Sequence, residues 1–378
     1  MKLFKLLVLS ALILSACGTS SVDTPSEEEG DSERLSSEYP VVYVSVFTHA
    51  EQKNSYTPDF TTDEDAFWEQ RQLVIDFAQM LYEKGVAYNY QSDWNFLEAA
   101  LKFDKGTEET NGKNFLQYLS EDLGVDVDPH NHKGQSEYNY ADVAYLISEL
   151  GVEPTGVVGG YLVLPVEDSA LESLWEPVEG AVYDFTWTPE ILWGGGTEGH
   201  VNDESLEISG VWRPQDAEHW TTHDPDAPLA VVGNFVSGWN DLDTLLEKQE
   251  DGTLEQGKMY TISIDAHQKL LSEDFILEFA EQIDHYQEYA NEGRLVWSSI
   301  TDTYETWVVQ YDEDPSQYFY LEEDTWDTAS KEDSSAFGSG LGSGPGSGFG
   351  GKKTGGETCG NGVCENFERK QNVCPEDC

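Results

Sequence analysis

Basic residues are scarce in this chain. Its 378 residues include 20 lysines and arginines against 73 aspartates and glutamates, a formal net charge of -53. No basic cluster interrupts the acidity, and such a surface repels a phosphate backbone, which argues against nucleic acid as a partner. Self-repulsion on this scale is best tolerated where salt screens it. Cysteine is almost absent as well: there are five, with none between Cys17 and Cys359. Phosphate-cradling signatures are missing. The triple glycine at 194–196 is followed by no Lys-Ser/Thr pair, and no dinucleotide fingerprint occurs. No internal repeat stands out at solenoid periods.

Apolar residues at 38% and aromatics at 12% are enough for a sizeable core. Lys2 and Lys5 precede an apolar run from Leu6 to Leu14, too short for a permanent span, which leads into Leu14-Ser-Ala-Cys17. This segment resembles a lipoprotein signal with a lipobox. The resemblance implies an extracytoplasmic, membrane-anchored lipoprotein whose lipid-modified first residue is Cys17; an ordinary signal peptide cut nearby would also export the chain. The division expected is a signal peptide at 1–16, a flexible tether at 17–38, an α/β domain at 39–312, an acidic then Gly/Ser-rich linker at 313–356 and a Cys-rich module at 357–378. Cys359, Cys364, Cys374 and Cys378 in an exported chain read as two disulfides with three possible connectivities, and a four-thiolate zinc site is the alternative. The tail is similar to the short Cys-Gly-Asn-Gly-x-Cys modules at the ends of many microbial surface proteins.

The chemistry is concentrated around Gly124-Val-Asp-Val-Asp-Pro-His-Asn-His132. In extended conformation Asp126, Asp128, His130 and His132 share one face, while Val125 and Val127 share the other. Histidines at i and i+2 can reach one metal ion, and nearby carboxylates suit a divalent cation or the orientation of an imidazole. Two other stretches repeat the design. In 41–51, Val42, Val44 and Val46 oppose Tyr43, Ser45, Phe47, His49 and Glu51; in 260–267, Ile262 and Ile264 oppose Thr261, Ser263, Asp265 and His267. Aliphatics on one face and a polar row ending in histidine suit an α/β barrel, with helices outside and a site at the carboxyl ends of the strands.

The remaining pattern alternates. Helices are expected over 66–84, 94–103, 113–123, 140–150 and 270–292, and strands over 86–90, 156–158, 181–187, 211–214, 229–232 and 294–300. The stretch 191–200 reads as a tight glycine-rich loop that lets backbone approach a ligand. Trp193 and Trp212 are candidate flat platforms for sugar rings, and His200 is a candidate substrate contact.

The order of these pieces resembles the polysaccharide deacetylase superfamily, over roughly Tyr39 to Trp307. The resemblance implies an irregular (β/α) barrel of about seven strands. Its metal and acid–base positions would correspond to Thr48-His-Ala-Glu51, Asp128-Pro-His-Asn-His132 and Asp265-Ala-His267. Two features differ from the family: its first strand normally ends in adjacent aspartates, and its histidine pair is normally spaced by three residues rather than one. The implied function is a metal-dependent hydrolase that removes an N- or O-acyl group from a polysaccharide substrate. His49, His130 and His132 would hold a divalent transition metal, zinc first by ligand type; Glu51 or Asp128 would be the base, and His267, oriented by Asp265, the acid. Two alternatives stay open, a catalytically silent carbohydrate-binding surface lipoprotein and a glycoside hydrolase with two carboxylates across a cleft.

Overall fold

The computed structural model describes residues 39–50, 58–131, 136–163, 171–196, 208–233 and 238–319. The leader, the tether with Cys17, Glu51, His132, His200, most of the linker and the tail with Cys359, Cys364, Cys374 and Cys378 lie outside these residues.

Strand and helix alternate through the first half: β1 (Val42–His49), α1 (Glu64–Glu83), β2 (Tyr88–Ser92), α2 (Trp94–Phe103), α3 (Phe115–Gln117), β3 (Asp126–Pro129), α4 (Tyr140–Glu149) and β4 (Val157–Val163). Short strands follow: β5 (Val178–Glu179), β6 (Thr186–Trp187), β7 (Ile191–Gly196), β8 (Ile208–Ser209), β9 (Val211–Trp212) and β10 (Ala230–Val232). The chain closes with α5 (Trp239–Glu250), β11 (Tyr260–Asp265), α6 (Glu273–Asn291), β12 (Leu295–Trp297), α7 (Ile300–Gln310) and β13 (Tyr318–Phe319). Among the described residues no helix is long and apolar enough to cross a membrane.

The fold is mixed α/β with a parallel central sheet. Its strands run β11-β1-β2-β3, and β12 also pairs with β1, every pairing parallel. A second sheet runs β4-β7-β10-β9, with β9 alone antiparallel. A parallel bridge between His130 and Gly159 joins the end of β3 to β4. The sheets also meet across their inner faces. The Trp193 indole N–H on β7 donates to Ser263 Oγ on β11 at 2.8 Å, and Phe47 on β1 lies 4.2 Å from the Trp193 ring.

Alternation in the strands explains which side chains face inward. Val42, Val44 and Val46 of β1 are fully buried in the outer core, with Val127 of β3 and Ile262 and Ile264 of β11, against the helices. Burying each such aliphatic side chain is worth roughly 1.5–3 kcal/mol, enough to fix the register of the sheet. Tyr43 and Phe47 turn the other way, into a separate core with Trp193, Val157 and Trp307. Side-chain caps delimit the helices: Asp63 accepts from Ala66 N–H at the start of α1, Asn139 and Asp142 form a capping box on α4, and Ser299 accepts from Asp302 N–H on α7.

The structure corrects the sequence reading in several places. Residues 191–196 form a central strand, not a loop: Gly194 to Gly196 pair with Tyr161 to Val163 of β4. The strand expected over 181–187 contracts to β6, because the Asp142 carboxylate accepts from Ala181, Val182 and Tyr183 N–H and holds 181–183 as a bend. The strand expected to reach 300 stops at Trp297, because Ser299 caps a helix there. Ordered structure also passes 312, since β13 pairs with β8.

Candidate active site

The site lies at the carboxyl ends of β1, β2 and β3. In register, His49 lies beside Gln91 and Gln91 beside Asp128, so one residue from each strand forms a row across the sheet. The row behind it is Phe47, Asn89 and Asp126. His130 follows one step past β3, where its N–H donates to Ser92 O at 3.1 Å.

Two imidazoles form the centre. The rings of His49 and His130 lie 3.6 Å apart, and His267 stands edge-on to His49 at 6.0 Å. His130 is fully buried, and His49 and His267 are nearly so. His130 Nδ1 lies 2.9 Å from Gly159 O, and His49 Nδ1 lies 3.0 Å from Gln91 Oε1. Both oxygens are acceptors, so both rings carry their proton on Nδ1 and their lone pair on Nε2. That arrangement, with Nδ1–H on an oxygen, is the one metal-ligating histidines use to fix ring and tautomer.

The glycines of β4 make room for the pair. Gly160 has a left-handed φ of +70°, and a Cβ there would come within 2.6 Å of His49 Cε1 and 3.0 Å of His130 Cε1. At Gly159 a Cβ would meet Pro129 O at 2.9 Å and the Gln91 amide carbon at 3.1 Å. Any side chain at either position would displace the groups beneath it.

Asp128 lies under the histidines and is fully buried. It accepts from Asn89 Nδ2 at 2.9 Å and Gln91 Nε2 at 3.3 Å on Oδ2, and from Thr155 Oγ1 at 2.6 Å on Oδ1. Burial raises its pKa, the Asp126 charge adds to this, and the three hydrogen bonds oppose it, leaving it pushed up to about 7. Asp126 is raised too, by burial first, with the Ser299 and Thr301 hydroxyls opposing. Asp128, one of the two residues expected as the base, is thus unexposed with both oxygens engaged.

Asp265 is the last residue of β11, in register with Phe47. His267 opens the turn after it, a turn held from two sides: Tyr90 O–H donates to Gln268 Oε1 at 3.0 Å, and Gln70 Nε2 donates to Gln268 O at 2.9 Å. The tryptophans depart from expectation. Trp193 and Trp212 are each about 1% exposed, so neither offers a ring face to a sugar. Trp193 fills the interior between Phe47 and Ser263, and Trp212 packs edge-on to Trp220 at 5.9 Å with its N–H on Trp220 O.

Among the described residues no three His, Cys, Asp or Glu side chains are grouped to hold a metal ion. His49 and His130 each turn Nδ1 to an oxygen, their rings 3.6 Å apart would have to separate for both Nε2 atoms to reach one ion, and the third expected ligand, His132, lies outside the described residues. Sequence reasoning missed Asn89, Gln91, Thr155 and Gly160. The alternation in Tyr88-Asn-Tyr-Gln-Ser92 was the available signal, since it turns both tyrosines into the helix-facing core and both amides inward.

No protein-family model and no curated protein sequence matches the chain. Among solved structures it is similar to Puue allantoinase, at 12% identity and a TM-score of 0.44, over 76% of this chain and 98% of that one. It is similar to a probable polysaccharide deacetylase from Pseudomonas aeruginosa PAO1, at 12% identity and a TM-score of 0.44, over 73% of this chain and 93% of that one. A third likeness is to 4-alpha-glucanotransferase from Thermococcus litoralis, at 12% identity and a TM-score of 0.38, over 76% of this chain and 42% of that one. These likenesses are partial, and the roles of His49, Gln91, Asp128 and His130 rest on the geometry of this chain itself.

Proposed function

We propose that the chain is an exported, metal-dependent hydrolase that removes an acyl group from a carbohydrate, on an irregular (β/α) barrel. The observation that carries the reading is the pair of buried imidazoles, rings 3.6 Å apart, each with Nδ1 on an oxygen acceptor and each at the carboxyl end of a parallel strand. Neutral imidazoles whose Nδ1–H is held by oxygen offer Nε2 as a ligand to a cation. His49 and His130 would hold the ion, with His132 as the third ligand. A divalent cation, when bound, supplies Lewis-acid polarisation of an acyl carbonyl.

The chain's own groups divide the remaining work. His267, in the turn after β11, stands beside His49 and would hand a proton to the departing amine or alcohol, and Glu51, two residues past His49, would take one from the attacking water. Asp128 and Gln91 hold His49 in place from below. Phe47 and Trp193 form an apolar wall beside His49.

The test combines elemental analysis with hydrolysis of N- and O-acetylated oligosaccharides by protein purified without chelators. His130→Ala should lose bound metal and acetate release together. His267→Ala should keep the metal and slow turnover by roughly 10²–10⁴-fold. A wild-type protein free of transition metal, or a His130→Ala protein that hydrolyses at the wild-type rate, contradicts the reading.

A further inference from the structure

The tautomer of His49 follows from hydrogen bonds that begin far from it. Backbone N–H groups can only donate, so they fix the polarity of whatever they touch. The N–H of Ile300, at the start of α7, donates to Asn89 Oδ1 at 3.0 Å. That sets the Asn89 amide: its oxygen faces Ile300, so its nitrogen faces Asp128 Oδ2 at 2.9 Å. Asp128 Oδ2 is thereby an acceptor. The Gln91 amide touches the same oxygen at 3.3 Å, and when Asp128 is ionised only the amide nitrogen can face it, which turns Gln91 Oε1 to His49 Nδ1 at 3.0 Å. Val157 N–H donates to Thr155 Oγ1 at 3.2 Å, and the Thr155 hydroxyl donates in turn to Asp128 Oδ1 at 2.6 Å.

We infer that Gln91 is a positioning residue that locks His49 as the Nδ1–H tautomer, with its own orientation dictated by the Ile300 backbone N–H through Asn89 and Asp128. A flipped Gln91 would set oxygen against oxygen at Asp128, a repulsive contact in a buried place, and would turn its N–H to His49 Nδ1, which only the Nε2–H tautomer can accept. Gly159 contributes by its lack of a side chain, since a Cβ there would come within 3.1 Å of the Gln91 amide carbon. In the neutral ring the lock leaves the lone pair of His49 on Nε2; its use on a metal ion rests on the function proposed above.

The experiment is a long-range 1H–15N correlation spectrum of the full-length, chelator-treated protein with 15N-labelled histidine, with His49 assigned by comparison with His49→Gln. The wild-type ring should carry its proton on Nδ1 at neutral pH. Gln91→Met fills the same space without an acceptor and should move His49 to Nε2–H or to a mixture. Gln91→Glu keeps an acceptor and, sharing a proton with Asp128, should restore Nδ1–H; with the wild-type spectrum it carries the test should Gln91→Met fail to fold. Zinc affinity by competition titration should fall about 10–100-fold in Gln91→Met. An Nε2–H ring in the wild type, or an unchanged ring in Gln91→Met, overturns the inference. If the tautomer moves as stated and neither protein binds zinc, the lock stands and the metal-dependent reading falls.

Discussion

Gly160 carries two separate burdens, and a second glycine separates them. Gly160 and Gly85 have nearly the same left-handed φ, +70° and +69°, but a Cβ at Gly85 would meet nothing within 4 Å, whereas one at Gly160 would strike His49 and His130. Placing alanine in that backbone conformation costs roughly 1–2 kcal/mol at either position. At Gly160 the displaced imidazoles should add about 1–3 kcal/mol, the usual cost of overfilling a packed site. Urea unfolding of Gly85→Ala and Gly160→Ala should therefore give clearly different losses. Equal losses would mean that the histidine pair has room to move. At this scale the sequence was only partly informative. His49, His130 and His267 stood out by residue type and position, but Gln91 gains its role from register, which places it between a histidine and a carboxylate from strands distant in sequence.

Among the elements, legibility followed periodicity. β1, β3 and β11 alternate apolar and polar residues, and the faces expected are those observed, with the valines and isoleucines on the helix side. α1 and α4 were legible from their apolar spacing and acidic starts, and both carry side-chain caps. β7 was misread because its glycines signal a turn locally, while pairing with β4 on one edge and β10 on the other holds them extended. α5 was missed, a 12-residue helix with an acid-rich sequence that starts after a glycine, Gly238, whose N–H donates to the Asp241 carboxylate. α7 was hidden by the apolar 294–300, where Ser299 turns the chain from strand to helix. The pairing of β7 is a tertiary fact that outweighed local propensity, whereas the Ser299 cap is local, a contact with Asp302 three residues on.

For the molecule as a whole, charge and site make separate demands. With a net charge of -53, repulsion between carboxylates opposes the compact state, and salt relieves it as the screening length shrinks. The thermal midpoint should rise as sodium chloride goes from about 0.1 M to about 1 M, where the screening length falls from ~10 Å to ~3 Å. A midpoint that stays level or falls would show that the acidic surface does not limit stability. The central proposal concerns the carboxyl ends of β1 and β3, where His49 and His130 would ligate a metal ion through Nε2. The most direct test is a crystal structure of the zinc-soaked protein with anomalous data at the zinc edge. The account predicts one ion about 2.0–2.1 Å from Nε2 of both His49 and His130. An ion held through Nδ1 of either ring, or no anomalous peak between them, would contradict it.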